Sequence, residues 1–94
     1  MNDDIRAAVE RLFSACLDVT LAGRYHAHMS YAAHCGEVTV QVCPASTDYQ
    51  SCGYEYQLNE FMYIHHSFLT EDDVADQLNA LVRKVRGYLK ERAA

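Results

Sequence analysis

An α+β fold of order α-β-β-β-α, two layers deep, follows from three features of the sequence. Apolar residues recur with helical spacing near both ends of the chain. Between those stretches the period drops to two, and each alternating run presents one apolar face. The economical arrangement is a three-stranded antiparallel meander with both helices on its apolar face, leaving the opposite face open. The chain has 94 residues, half of them hydrophobic and 22% charged, with one Pro and four Gly. That length and composition predict one globular domain spanning 1–94, with no linker, and exclude a disordered chain.

The first helix is expected from Asp3 to Leu21. Its stripe is Ile5, Ala8, Val9, Leu12, Phe13, Cys16, Leu17, Val19 and Thr20, at i, i+3, i+4, i+7 spacing. Asn2 or Asp3 can cap it, Asp3 and Asp4 suit its dipole, and Gly23 can take positive φ at its end. From Tyr25 the chain alternates, with Tyr25, Ala27, Met29, Tyr31 and Ala33 on one face and His26, His28, Ser30, Ala32 and His34 on the other. Cys35-Gly36 breaks this strand, and Gly36-Glu37 supplies a tight hairpin into a second run, where Val38, Val40 and Val42 alternate with Thr39, Gln41 and Cys43. Pro44 and the polar stretch 45–53 read as a loop. The third strand alternates Tyr54, Tyr56 and Leu58 against Glu55, Gln57 and Asn59, and continues or resumes through 61–64. Thr70-Glu71-Asp72-Asp73 opens a helix expected from Glu71 to Arg92, with Val74, Leu78, Leu81, Val82, Val85, Tyr88 and Leu89 as its stripe. Gly87 in that stretch marks close packing or early fraying.

Charge narrows the function. The net charge of −5 leaves too few Lys and Arg for strong non-specific nucleic-acid binding. No apolar run approaches the ~20 residues that span a bilayer. Asp3, Asp4, Glu10 and Asp18 exclude a signal peptide over Met1–Leu21, so the expected location is cytoplasmic, the host cytoplasm if the chain is phage-encoded.

Four Cys and five His raise the question of metal or thiol chemistry. Cys16, Cys35, Cys43 and Cys52 are 19, 8 and 9 residues apart by subtraction, unlike the C-x2-4-C knuckles of structural zinc. Without an export signal they are expected reduced, and Cys16 sits on a buried stripe. Cys35 adjoins His34, but neighbours on a strand point to opposite faces. Cys43 and Cys52 have no base in view, and Gly23, Gly36, Gly53 and Gly87 form no phosphate loop. No enzyme, metal or cofactor is expected, and a metal- or thiol-dependent small protein stands as an alternative.

The order α-β-β-β-α also resembles that of double-stranded RNA-binding domains, and a nucleic-acid-binding module of that topology is the other alternative. Such domains meet phosphates with basic residues at the start of the last helix. Here Glu71, Asp72, Asp73 and Asp76 occupy that place, and the basic residues from Arg83 to Arg92 lie at the far end.

The aromatic set is seven Tyr and three Phe without Trp. Tyr supplies contact area with one polar tip at low entropy cost. Phe13 and Tyr88 fall on helix stripes, and Tyr25, Tyr31, Tyr54 and Tyr56 alternate toward the helices. Tyr49 and Tyr63 remain as the exposed pair. The polar sheet face carries His26, His28, Ser30, Thr39, Gln41, Glu55 and Gln57.

The segment His26-Ala-His28-Met-Ser30-Tyr31-Ala-Ala-His34, then Val38-Thr-Val40-Gln-Val42 and a capped amphipathic helix, resembles small proteins carried by phages and prophages. The resemblance spans about residues 25–90, and anti-CRISPR and other anti-defence inhibitors are among such proteins. It implies a non-enzymatic inhibitor that occupies the surface of a host protein or ribonucleoprotein, such as a CRISPR nuclease complex. Acidic Glu55, Glu60, Asp72, Asp73 and Asp76 would meet Lys and Arg that otherwise hold nucleic acid, with Tyr49 and Tyr63 as anchors. Two strand edges and an open sheet face also predict a homodimer.

Overall fold

The computed structural model describes residues 3–46, 56–64 and 70–90, with the backbone only at Lys90. Expectations that fall on Asn2, Tyr49, Cys52, Tyr54, Glu55 and Arg92 lie outside the described residues. The elements are α1 (Asp3–Ala22), β1 (Tyr25–Ala32), β2 (Glu37–Pro44), β3 (Leu58–Tyr63) and α2 (Glu71–Lys90). The strands form one antiparallel sheet of order β1-β2-β3, so β2 is central, and the expected α+β order α-β-β-β-α is observed.

The core forms where the inward residues of the sheet meet both helices. Val38 and Val40 lie beneath Ile5, Leu12, Cys16 and Val19 of α1 and Val74, Leu78, Leu81 and Val85 of α2, all buried. Tyr25, Ala27 and Met29 of β1 and Leu58 and Met62 of β3 flank this cluster, as the period of two requires. Tyr25 meets Tyr88 edge-on with centroids 5.0 Å apart. No buried polar side-chain atom among the described residues lacks a partner.

The ends of the elements follow local chemistry. Gly23 terminates α1 at φ 93°, and its N–H donates to the Thr20 carbonyl at 3.1 Å. At the start of α2 the capping box is complete. The Asp73 N–H donates to Thr70 Oγ1 at 3.1 Å, and the Thr70 N–H donates back to Asp73 Oδ2 at 3.2 Å.

Several expectations are corrected. β1 stops at Ala32, and the hairpin turn is the four residues 33–36, with Gly36 at φ 70° donating to the Ala32 carbonyl at 2.8 Å. A two-residue hairpin at Gly36-Glu37 would have broken the Ala32↔Glu37 pair that closes the ladder. The third strand begins at Leu58, with Tyr56 and Gln57 outside it. α2 runs through Gly87, and a Cβ there would meet nothing within 4 Å, so that glycine marks no close packing. Phe13 and Tyr31 are not core residues but are 59% and 48% exposed. Among the described residues the sheet ends at β1, so no described strand covers the flank of α1 beyond it.

Candidate functional site: the outer sheet face and the β1 edge

β2 sends Val38, Val40 and Val42 toward the helices and Glu37, Thr39, Gln41 and Cys43 to the outer face. The register places His28 and Ser30 on one side of this row and Asn59, Phe61 and Tyr63 on the other. Phe61 and Tyr63, two residues apart, share this face with their rings 6.0 Å apart in a T-shaped contact, 64% and 37% exposed. Glu37 lies opposite Tyr63 and orders this end of the face. Its carboxylate accepts from Thr39 Oγ1 at 3.2 Å and from the Tyr63 phenol. The hydrogen bond to Glu37 and the nearby negative charge hold the Tyr63 pKa above its ordinary value.

The opposite end is closed. Cys43 is fully buried, with its Sγ 3.8 Å from His28 Nε2, and His26 and His28 meet edge-on at 6.3 Å. This corrects the expectation that Cys43 has no base near it. His28 pairs with Gln41, which makes it the diagonal neighbour of Cys43 across the ladder, a relation that strand parity alone does not reveal. No group of three or more His, Cys, Asp or Glu side chains among the described residues converges as a metal set. Burial pushes the Cys16 thiol up to about 11, while Cys35 in the turn is exposed.

Arg11 bonds Asn79 Oδ1 at 2.8 Å, and Arg86 bonds Asp18 Oδ2 at 3.3 Å. Both pairs are 68 residues apart, so the two helices run parallel and their N-termini share one end. Asp4, Asp72 and Asp76 gather there around a shallow recess with Arg11 and Asn79. The Ile64 N–H donates to the Gly36 carbonyl at 2.9 Å, which sets the end of β3 beside the hairpin turn, and Tyr31 shares a recess with Val9 and Glu10 of α1. Tyr63, Asp72, Asp73 and Asp76 therefore lie toward one end of the molecule, Tyr63 on the sheet layer and the three acids on the helical layer. Asp73 is engaged in its cap. Glu60 lies apart, on the inner face of the edge strand β3, where Lys84 Nζ reaches it at 2.9 Å. Tyr49 and Glu55 lie outside the described residues.

One surface was not anticipated. Phe13 and Leu17 of α1 stand exposed beside Met29 and Tyr31 of β1, forming an apolar band along the free sheet edge. The nine-position stripe of the first helix carried this signal, since it is wider than one core-facing stripe needs. Comparison of this chain with protein-family models, curated proteins and solved structures gave no match.

Proposed function

We propose that this protein is a non-enzymatic binding module for a basic protein surface, engaged through the outer sheet face and the acidic end beside it. The observation that carries the reading is the exposed Phe61–Tyr63 pair on the sheet face opposite α1 and α2, which no helix covers among the described residues. Two rigid aromatic rings ordered next to a hydrogen-bonded carboxylate have the chemistry of an interface anchor, apolar in body and polar at one tip. Asp72 and Asp76 add negative charge that steers a partner rich in Lys and Arg. The phage-borne inhibitor reading rests on the residue pattern of 25–90 and is one instance of this class, with a nucleic-acid-holding protein of the host as the occluded partner.

The test is capture of partners from bacterial lysate by the wild-type chain and by a Phe61→Ser/Tyr63→Ser variant, followed by calorimetry with the purified partner. Loss of at least about tenfold in affinity in the aromatic variant is expected for a central anchor. Asp72→Lys with Asp76→Lys weakens binding further and flattens its salt dependence. A partner bound equally well by both variants, or one without a basic surface, defeats the proposal.

A further inference from the structure

We propose that the free edge of β1 is the interface of a homodimer, in which two copies of β1 pair antiparallel about a two-fold axis at Ser30 and extend the sheet across both chains. In an antiparallel ladder, alternate residues turn both backbone groups to the same neighbour. The Arg24 carbonyl accepts from the Ala45 N–H across the β1–β2 ladder, so the even-numbered residues of β1 face β2 and the odd-numbered ones face away. Ala27 shows this directly. Its N–H donates to Thr20 Oγ1 at 3.0 Å and its carbonyl accepts from the same hydroxyl at 3.4 Å, so α1 closes the edge at that point. Met29 and Tyr31 are the next two outward residues, and among the described residues nothing closes the edge beside them.

A second copy of the same strand fits this edge in one register. With the axis at Ser30, Met29 lies opposite the partner's Tyr31 and Tyr31 opposite the partner's Met29. Each outward N–H and C=O of these residues then finds a mate, and Thr20 keeps its bonds to Ala27. Moving the axis to Met29 would set Tyr31 against the already occupied Ala27. Moving it to Tyr31 would set Met29 against Ala33, in the turn. On the inner face, Met29 of each copy meets Tyr31 of the other while Phe13 and Leu17 of each α1 close over the seam. On the outer face, Ser30 meets itself, and residues 25–32 carry no Asp, Glu, Lys or Arg to oppose a copy.

The usual guards against edge pairing, Pro, Lys and inward charge, are missing from β1. The other edge, β3, is shorter and carries the Glu60–Lys84 ion pair. At about 200 Å² for a fully exposed aromatic side chain, Phe13 and Tyr31 contribute about 200 Å² per copy. Leu17, Met29 and the strand backbone bring the total to roughly 500 Å² per copy, or roughly 1,000 Å² in all, the lower bound for a specific interface. The dimer is therefore weak and concentration-dependent.

Sedimentation velocity from about 1 μM to about 1 mM tests this, since a small interface implies dissociation within that range. The wild-type mass should double across it. Ser30→Lys sets two like charges face to face at an exposed position and weakens association about tenfold, and Ser30→Glu does the same. An equimolar mixture of Ser30→Lys and Ser30→Glu restores association, because only a residue on the axis faces its own copy. Phe61→Ser leaves association unchanged, which separates this interface from the outer sheet face. Circular dichroism confirms that each variant keeps its fold. A wild-type chain that stays monomeric, a Ser30→Lys variant that associates normally, or a mixture that fails to recover would each overturn the proposal.

Discussion

Cys16 shows how burial sets the chemistry of a single residue. Its thiol lies in the core on the side of α1 that faces β1, and desolvation raises its pKa from 9.0 to about 11. A raised pKa means that the native state holds the proton more tightly than the unfolded chain does. The stability it lends is complete below pH 9 and is lost as pH rises from 9 toward 11, because the unfolded chain ionises first. The loss reaches about 2–3 kcal/mol by the upper limit, at about 1.4 kcal/mol per pKa unit. Urea unfolding at pH 8 and pH 10.5 checks this. The wild type should lose more stability between the two than Cys16→Ala, and parallel losses would contradict the burial account. Among the described cysteines, at neutral pH a thiol reagent should modify the exposed Cys35 first and Cys16 only on unfolding. Residue type and helical spacing placed Cys16 inside correctly. They misplaced Phe13, which is exposed beside β1, the last strand on that side among the described residues.

At the scale of elements, termini were the most legible feature. In the Thr70 capping box the fourth residue is Asp73, whose side chain reaches back less far than Glu. Both reciprocal bonds form nonetheless, with the longer one at 3.2 Å on the Asp73 carboxylate. Thr70→Ala should cost about 1 kcal/mol, within the range found for caps. Gly87→Ala should return about 0.5–1 kcal/mol, because the site is helical and a Cβ meets nothing within 4 Å. Thermal unfolding of the two single variants measures both, and a Gly87→Ala variant less stable than the wild type would mean that the helix is not regular there. Strand boundaries were less legible. Alternation continues unchanged through Ala33 and His34, but the chain must turn before Glu37 to bring Val38 opposite Tyr31. Tyr56 likewise fits the alternating pattern of the third strand, yet the ladder to β2 begins at Leu58, opposite Val42.

At the scale of the whole molecule, three antiparallel strands between two helices make those helices parallel. Their N-termini, rich in Asp and Glu, meet at one end, and the Arg86–Asp18 pair ties them further along. Leu12 and Leu78, both inaccessible, belong to the one core that joins the helices and the sheet. Leu12→Ala or Leu78→Ala should each cost about 2–5 kcal/mol. Helix and tyrosine signals should be lost in a single transition, as one shared core requires. Separate transitions in chemical unfolding would show that the layers do not depend on each other. Among the expected site residues, the sequence identified Tyr63 as exposed. It did not show that Glu60 turns to the inner face and pairs with Lys84, since that depends on the phase of an edge strand against a helix 24 residues away. The sequence alone determined the element types, their order, the inward valines of β2 and the ends at Gly23 and Thr70, because these depend on periodicity and on neighbours within four residues. Among the described residues, tertiary structure decided which strand is central, which flank of α1 no strand covers, that Thr20 seals Ala27 and that Met29 and Tyr31 stand at the edge. Those outcomes depend on where the sheet ends, a property of long-range pairing that no local pattern encodes.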